Sequence, residues 1–223
     1  MSNRTIAVII PAHNEERLLG TTLEAVKNQT RPPDEIIVVD NASTDNTAEI
    51  AREAGAIVVH CARPGVAYAR QAGLIAASSD WIVSTDADSL PISSWLETLE
   101  AHMEGNVALY GPMRFFDVTP FDQSLSEYFY RGFLNFSDFF GRPNLAGANM
   151  AFSRLAAIQV GGYPPVKMRE DVLLGWKLRK LGHVQYVPDA LVNTSGRRMQ
   201  QGKLLFLVKQ LAWIRGREPR KFR

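Results

Sequence analysis

Residues 35–55 read EIIVVDNASTDNTAEIAREAG, and they hold one complete repeat of the folding logic. Glu35 to Val39 is apolar, β-branched and too short for a helix, so it reads as a buried strand. Asp40-Asn41-Ala42-Ser43-Thr44-Asp45 is a cluster of turn and cap residues. Thr47 to Ala54 follows with helical spacing, and Gly55 is placed to close that helix. The same order recurs on both sides. Thr5 to Ile10 (TIAVII) is a strand ended by Pro11, and Glu16 to Asn28 puts Leu18, Leu19, Leu23 and Val26 on one helical face. Ile57 to His60 is a third strand, Val66 to Ala77 an alanine-rich helix able to pack closely, Trp81 to Thr85 a fourth strand, and Trp95 to Met103 another helix. Strands alternating with helices predict an α/β fold: a single Rossmann-like domain with a mostly parallel central sheet flanked by helices.

At 223 residues the chain is long enough for a sizeable core, and hydrophobic residues at 46% with charged residues at 22% are ordinary globular values. Cys61 is the single cysteine, which excludes an internal disulfide, a cysteine-based metal cluster and thioredoxin chemistry, and suits a reducing cytoplasm. No apolar run approaches the roughly 20 residues that cross a bilayer, and MSNRTIAVIIPAHNEE turns polar too early for a signal peptide. Three segments are expected: residues 1–110 as a ligand-binding half, 111–195 as a second half of the same domain, and 196–223 as a basic amphipathic segment. The second half includes an aromatic stretch from Phe121 to Phe140, read as a helix, and a strand at Val184 to Val187.

In an open parallel sheet, ligands bind beyond the C-terminal ends of the strands. The first strand is followed there by His13, Asn14 and Glu15, the second by Asp40, Asn41 and Ser43, and the fourth by Asp86 and Asp88. Any one such loop can be explained by turn chemistry; acids delivered by three strands to one edge suggest a site. Asp86 and Asp88 are two apart, so an extended segment would point both carboxylates to one side. Paired carboxylates suit Mn²⁺ or Mg²⁺ with a nucleoside diphosphate completing the shell. G-x-G-x-x-G and G-x-x-x-x-G-K-[ST] are both missing, which argues against a dehydrogenase and a phosphate-loop ATPase.

The ordered blocks VIIPAHNEERLL, EIIVVDNASTDNT, RPGVAYARQAGL, IVSTDADS, GANMAFSR, GGYP and EDVLLGWKLRKLG resemble the inverting glycosyltransferases of family two, and they cover nearly the whole chain. The resemblance implies the A-type nucleotide-sugar-binding fold and transfer of one sugar from a nucleotide-diphosphate sugar to a hydroxyl acceptor, which could be a sugar, a lipid-linked sugar or a small molecule. It implies that Pro11, Ala12, His13 and Glu15 line the base and ribose pocket, that Asp40 reads the nucleobase edge, and that Arg70 lies near the nucleotide. It further implies that Asp86 faces the ribose or metal, that Asp88 ligates the metal, and that Asp171 of the Glu170-Asp171 pair is the general base. Gly147, Ala148 and Asn149, with Glu170, would meet the acceptor. An alternative for Asp171 is a helix cap, and for the Gly147 block a plain turn. The processive Gln-x-x-Arg-Trp signature is missing, which favours single-sugar transfer. A sugar-nucleotide pyrophosphorylase, or an inactive sugar-binding module, is the rival reading.

Arg197 and Arg198 offer guanidinium forks for a diphosphate, or simply a solvated loop. Residues 197–223 carry nine Lys or Arg against one acid, Glu218. With the apolar Leu204 to Ile214, this tail is a candidate for peripheral contact with an anionic membrane on the cytoplasmic side, for a partner, or for packing on the domain itself. Nothing in the composition suggests a nucleic-acid partner. His60, His102 and His183 read as structural or surface residues.

Overall fold

A computed structural model describes residues 4–197. The chain begins with β1 (Ile6–Ala12), α1 (Leu19–Lys27), β2 (Glu35–Asp40), α2 (Thr47–Glu53), β3 (Ile57–His60), α3 (Val66–Ala76) and β4 (Trp81–Ser84). It continues through β5 (Ser89–Pro91), α4 (Trp95–Glu100), β6 (Asn106–Tyr110), β7 (Met113–Phe115) and the long α5 (Pro120–Phe139). Then follow β8 (Met150–Ser153), α6 (Arg154–Gln159), α7 (Glu170–Leu178), β9 (His183–Tyr186) and β10 (Val192–Thr194). The mixed α/β architecture is the one expected from the alternation.

Seven strands form one sheet in the order β3-β2-β1-β4-β8-β6-β9. All its pairings are parallel except those of β8, which runs antiparallel to both β4 and β6. A small second sheet has the order β5-β10-β7. Successive β1 residues point to opposite faces, so Ile6, Val8 and Ile10 pack with Leu19, Leu23, Trp95 and Leu99, while Ala7 and Ile9 pack with Leu74 and Leu174 on the other side. Helix α3 lies close enough that a Cβ on Gly73 would fall 2.5 Å from an Ile9 methyl. That explains the small residues along it.

Several boundaries differ from the sequence reading. Pro11 does not end β1: the strand runs on to Ala12, with Pro11 opposite Val39. The Pro11 nitrogen faces the β4 side, where pairing has already stopped at Ile9 and Ser84, so its missing N–H leaves no ladder bond unmade. Helix α1 starts at Leu19 rather than Glu16, because residues 16–18 form a tighter turn in which Leu18 and Leu19 N–H both donate to the Glu15 carbonyl. Helix α4 likewise ends at Glu100, short of Met103.

Strand order reverses between β1 and β4, which opens the crevice at their C-terminal ends. Helix α5 is capped by the Thr119 hydroxyl, which accepts from Asp122 N–H, and has Pro120 in its first turn. It buries Leu134 but leaves Phe121, Tyr128, Phe129, Phe136 and Phe139 exposed. No described helix is long and apolar enough to cross a membrane. Arg198 and the Leu204 to Ile214 stretch lie outside the described residues.

Candidate active site

The loops after β1 and β2 are tied to each other. Asn14 N–H donates to the Ser43 hydroxyl at 3.1 Å, Thr44 N–H to the Asn14 side-chain oxygen at 2.8 Å, and Glu15 N–H to the Thr47 hydroxyl at 2.8 Å. Asn14 (φ 54°) and Ala42 (φ 58°) adopt left-handed conformations to make these turns. His13 Nδ1 donates to the Asn41 carbonyl at 2.8 Å. Asn41 in turn donates through Nδ2 to the Cys61 and Arg63 carbonyls and accepts from Gly65 N–H. Asp40 is buried, with one oxygen accepting from Ser43 N–H and the other 3.0 Å from His60 Nδ1. His60 therefore belongs beside Asp40. Its sequence neighbours gave no sign of this, since the contact depends on the β2–β3 register that sets Asp40 opposite His60.

The Asp86–Asp88 segment is not extended. The chain turns there, with Ser89 N–H donating to the Asp86 carbonyl at 3.2 Å, and the two carboxylates meet different arginines. Arg197 bridges Asp88, at 2.9 Å, and Glu15. The hydrogen bond to Glu15 raises the Arg197 guanidinium above its ordinary range; burial opposes this, and the charge of Asp88 adds to it. Asp117 fixes the approach of this arginine, accepting from the Ser195 hydroxyl at 2.5 Å and from Gly196 N–H. Asp117 was not anticipated, being 78 residues away in sequence from the loop it anchors.

Arg70 is the second bridge. It is only 5% exposed, and one guanidinium nitrogen meets Asp86 at 2.7 Å while the other meets Glu170. Burial alone would lower its affinity for the proton, but Asp86, Glu170 and Asp171 together outweigh burial and keep it charged. Burial pushes the Glu170 carboxyl upward, Arg70 pulls it back, and Asp171 adds to the rise. Asp171 accepts from Gly147 N–H at 2.7 Å and from Val172 N–H at 2.7 Å. It is partly exposed and sits in the first turn of α7, just after Arg169, a residue with φ 68°.

Three sequence assignments are corrected by burial. Asn149 has no exposed surface: it accepts from Trp95 Nε1 at 2.9 Å and donates to the Pro112 and Ala190 carbonyls, both at 2.7 Å. It is a core cross-link with both N–H groups committed and no surface for an acceptor to reach. Glu170 is just as inaccessible, facing Arg70 rather than the cleft. Ala148 is also buried, and Gly147 contributes its peptide rather than a surface. Asn149→Ala is expected to cost at least about 3 kcal/mol, since three buried partners lose their bonds at about 1–3 kcal/mol each. A fall in the urea midpoint would read it; a shift under about 1 kcal/mol would contradict the cross-link.

The charged groups form two ion-paired chains along the switch-point edge, Glu15–Arg197–Asp88 and Asp86–Arg70–Glu170, which are neighbours through the Asp86–Asp88 turn, with Asp171 next to Glu170. The fold that carries these groups is found in solved glycosyltransferases. The chain is similar in fold to the mannosyltransferase PcManGT of Pyrobaculum calidifontis, solved with GDP-Man and Mn²⁺, with a TM-score of 0.70 and 24% identity over 97% of this chain and 66% of that one. It is also similar to glucosyl-3-phosphoglycerate synthase of Mycobacterium tuberculosis, solved with Mn²⁺, UDP and phosphoglyceric acid, with a TM-score of 0.64 and 24% identity over 90% of this chain and 74% of that one. In sequence it is 32% identical over 161 residues to the 4,4'-diaponeurosporenoate glycosyltransferase of Staphylococcus aureus, 69% of this chain and 40% of that protein. The chain spans less than half the length of such curated relatives. Residues 7–161 match the model of glycosyl transferase family 2, and that segment contains β1 to α6 with the loops of the switch point. A match over this much of the chain, on a fold shared with known glycosyltransferases, places the protein in glycosyl transferase family 2.

Proposed function

We propose that the protein is a metal-dependent, inverting glycosyltransferase that moves one sugar from a nucleotide-diphosphate sugar to a hydroxyl acceptor. The observation that supports this reading is the gathering at the switch point of two ion-paired chains, which contain Asp86 and Asp88, beside the partly exposed carboxylate of Asp171; in this reading the first two face the donor and the third the acceptor. In this reading the base and ribose lie against Pro11, Ala12, His13 and Asp40, on loops already braced by the Asn14 and Asn41 hydrogen bonds. Asp171 is held by two backbone N–H groups that fix its direction and leave lone pairs to spare. It takes the proton of the acceptor hydroxyl as that oxygen attacks the anomeric carbon, opposite the departing diphosphate.

The donor set suits Mn²⁺ or Mg²⁺. Among the described residues no three His, Cys, Asp or Glu side chains close into a cage. One or two carboxylates suffice for an ion whose shell is completed by waters and substrate phosphates, and its binding would displace Arg197 from Asp88. Arg197 between Glu15 and Asp88 shows that this cradle takes positive charge. Asp86 and Asp88 would hold the ion, which supplies stabilisation of the negative charge on the leaving diphosphate. Released from Asp88, the Arg197 guanidinium would be available to the diphosphate oxygens. The two similar structures that contain Mn²⁺ support this choice of ion.

A thermal-shift panel tests the whole reading. UDP, GDP, TDP and CDP sugars are each added with and without Mn²⁺. One of them is expected to raise Tm by several degrees, and only with metal, because a ligand at 100 times its Kd adds about 2.7 kcal/mol to the native state. No stabilisation by any donor would reject it.

A further inference from the structure

We propose that Glu170 is a positioning residue for Asp171, acting through Arg70 and the Gly147 peptide rather than by touching donor or acceptor. This deepens the reading of Asp171 as the base and rests on it. The Glu170 side chain is 4% exposed and meets Arg70, so no substrate atom reaches it. The Arg70 guanidinium lies directly against Gly147, where an added Cβ would fall 2.0 Å from its Cζ. The Gly147 peptides are held on two further sides: the carbonyl accepts from the Ser84 hydroxyl at 2.7 Å, and the N–H donates to Asp171 at 2.7 Å. Glu170 thus fixes Arg70, Arg70 backs Gly147, and Gly147 orients the carboxylate that takes the proton. The left-handed turn at Arg169 starts α7 so that Glu170 points inward while its neighbour reaches the cleft.

A buried ion pair is an inefficient source of stability, since desolvation offsets most of the attraction. Its use here is geometric. Arg70 also meets Asp86, so one cation spaces the donor-side carboxylate from the base. Misplacing a catalytic group by about 1 Å can cost about 100-fold in rate.

The test compares wild type, Glu170→Gln, Asp171→Asn and the double variant, on the donor sugar and metal chosen by the thermal-shift panel. Glu170→Gln keeps the shape and removes the charge. It is expected to lower kcat by about 10- to 100-fold, with acceptor KM and the directly measured Kd for the matching nucleoside diphosphate unchanged within about twofold. On the Asp171→Asn background the same change is expected to cost nothing further, because its effect passes through Asp171. A raised acceptor KM with kcat intact would make Glu170 an acceptor ligand and overturn the proposal. So would a weakened nucleotide Kd, an unchanged kcat, or a full additional loss in the double variant. If Glu170→Gln does not fold, Ser84→Ala carries the test: loss of the other support on Gly147 is expected to lower kcat about 3- to 10-fold with the same flat KM, and no loss overturns the proposal. Failure of the base assignment is seen separately, as an Asp171→Asn enzyme that retains wild-type turnover.

Discussion

Asp171→Asn is expected to lower kcat by about three orders of magnitude, within the 10²–10⁴-fold range for a positioned base, while nucleoside diphosphate and metal bind as before. The substitution keeps the size of the side chain but removes its basicity and one of its two backbone bonds, because Gly147 and Val172 donate to different oxygens and the amide nitrogen cannot accept. An alternative role as a helix cap predicts the reverse pattern. A cap lost to asparagine costs almost nothing, since asparagine caps as well as aspartate, and turnover would survive. Steady-state kinetics beside a nucleotide titration separates the two. Turnover near the wild-type level would remove Asp171 from the chemistry.

Gly147→Ala is expected to damage both stability and turnover severely. At 2.0 Å from the Arg70 Cζ the new carbon cannot coexist with the guanidinium, and a buried cation fixed between Asp86 and Glu170 has nowhere to go. Separating a buried pair from one partner costs about 3–5 kcal/mol, and a loss of that order is expected in urea unfolding. Turnover should fall below detection, because the peptide that holds Asp171 moves with the clash. A stable, active Gly147→Ala protein would mean that Arg70 does not back this peptide. Gly55 is a useful control: it is left-handed, at φ 74°, but a Cβ there meets nothing within 4 Å, so alanine at 55 brings local backbone strain without touching the site.

The strands and helices of the first hundred residues were legible because their apolar periods are clean and their turns rich in Asp, Asn and Gly. Ile57 to His60, for instance, is a strand over the residues expected. The arrival of His13, Asp40, Asp86 and Asp88 at one edge also followed from their places just after the ends of strands in a parallel sheet. What could not be read was which side chains would be spent on each other. Asn149 resembles a ligand in a one-dimensional string, and only the packing of Trp95, Pro112 and Ala190 around it shows a cross-link. Glu170 and Asp171 are adjacent letters with opposite fates, decided by the backbone turn at Arg169. Pairings such as Asp117 with Ser195 and Glu15 with Arg197 join residues far apart in the chain, where local pattern carries no information.

The reciprocal tie between Asn14 and the Ser43-Thr44 turn bears on how this protein can change over generations. Each loop supplies half of the other's scaffold, so a substitution that reshapes one alone leaves the other without its partner. Altered ligand preference at this edge should therefore appear in lineages as compensated pairs across the two loops, with the single-step intermediates poorly tolerated.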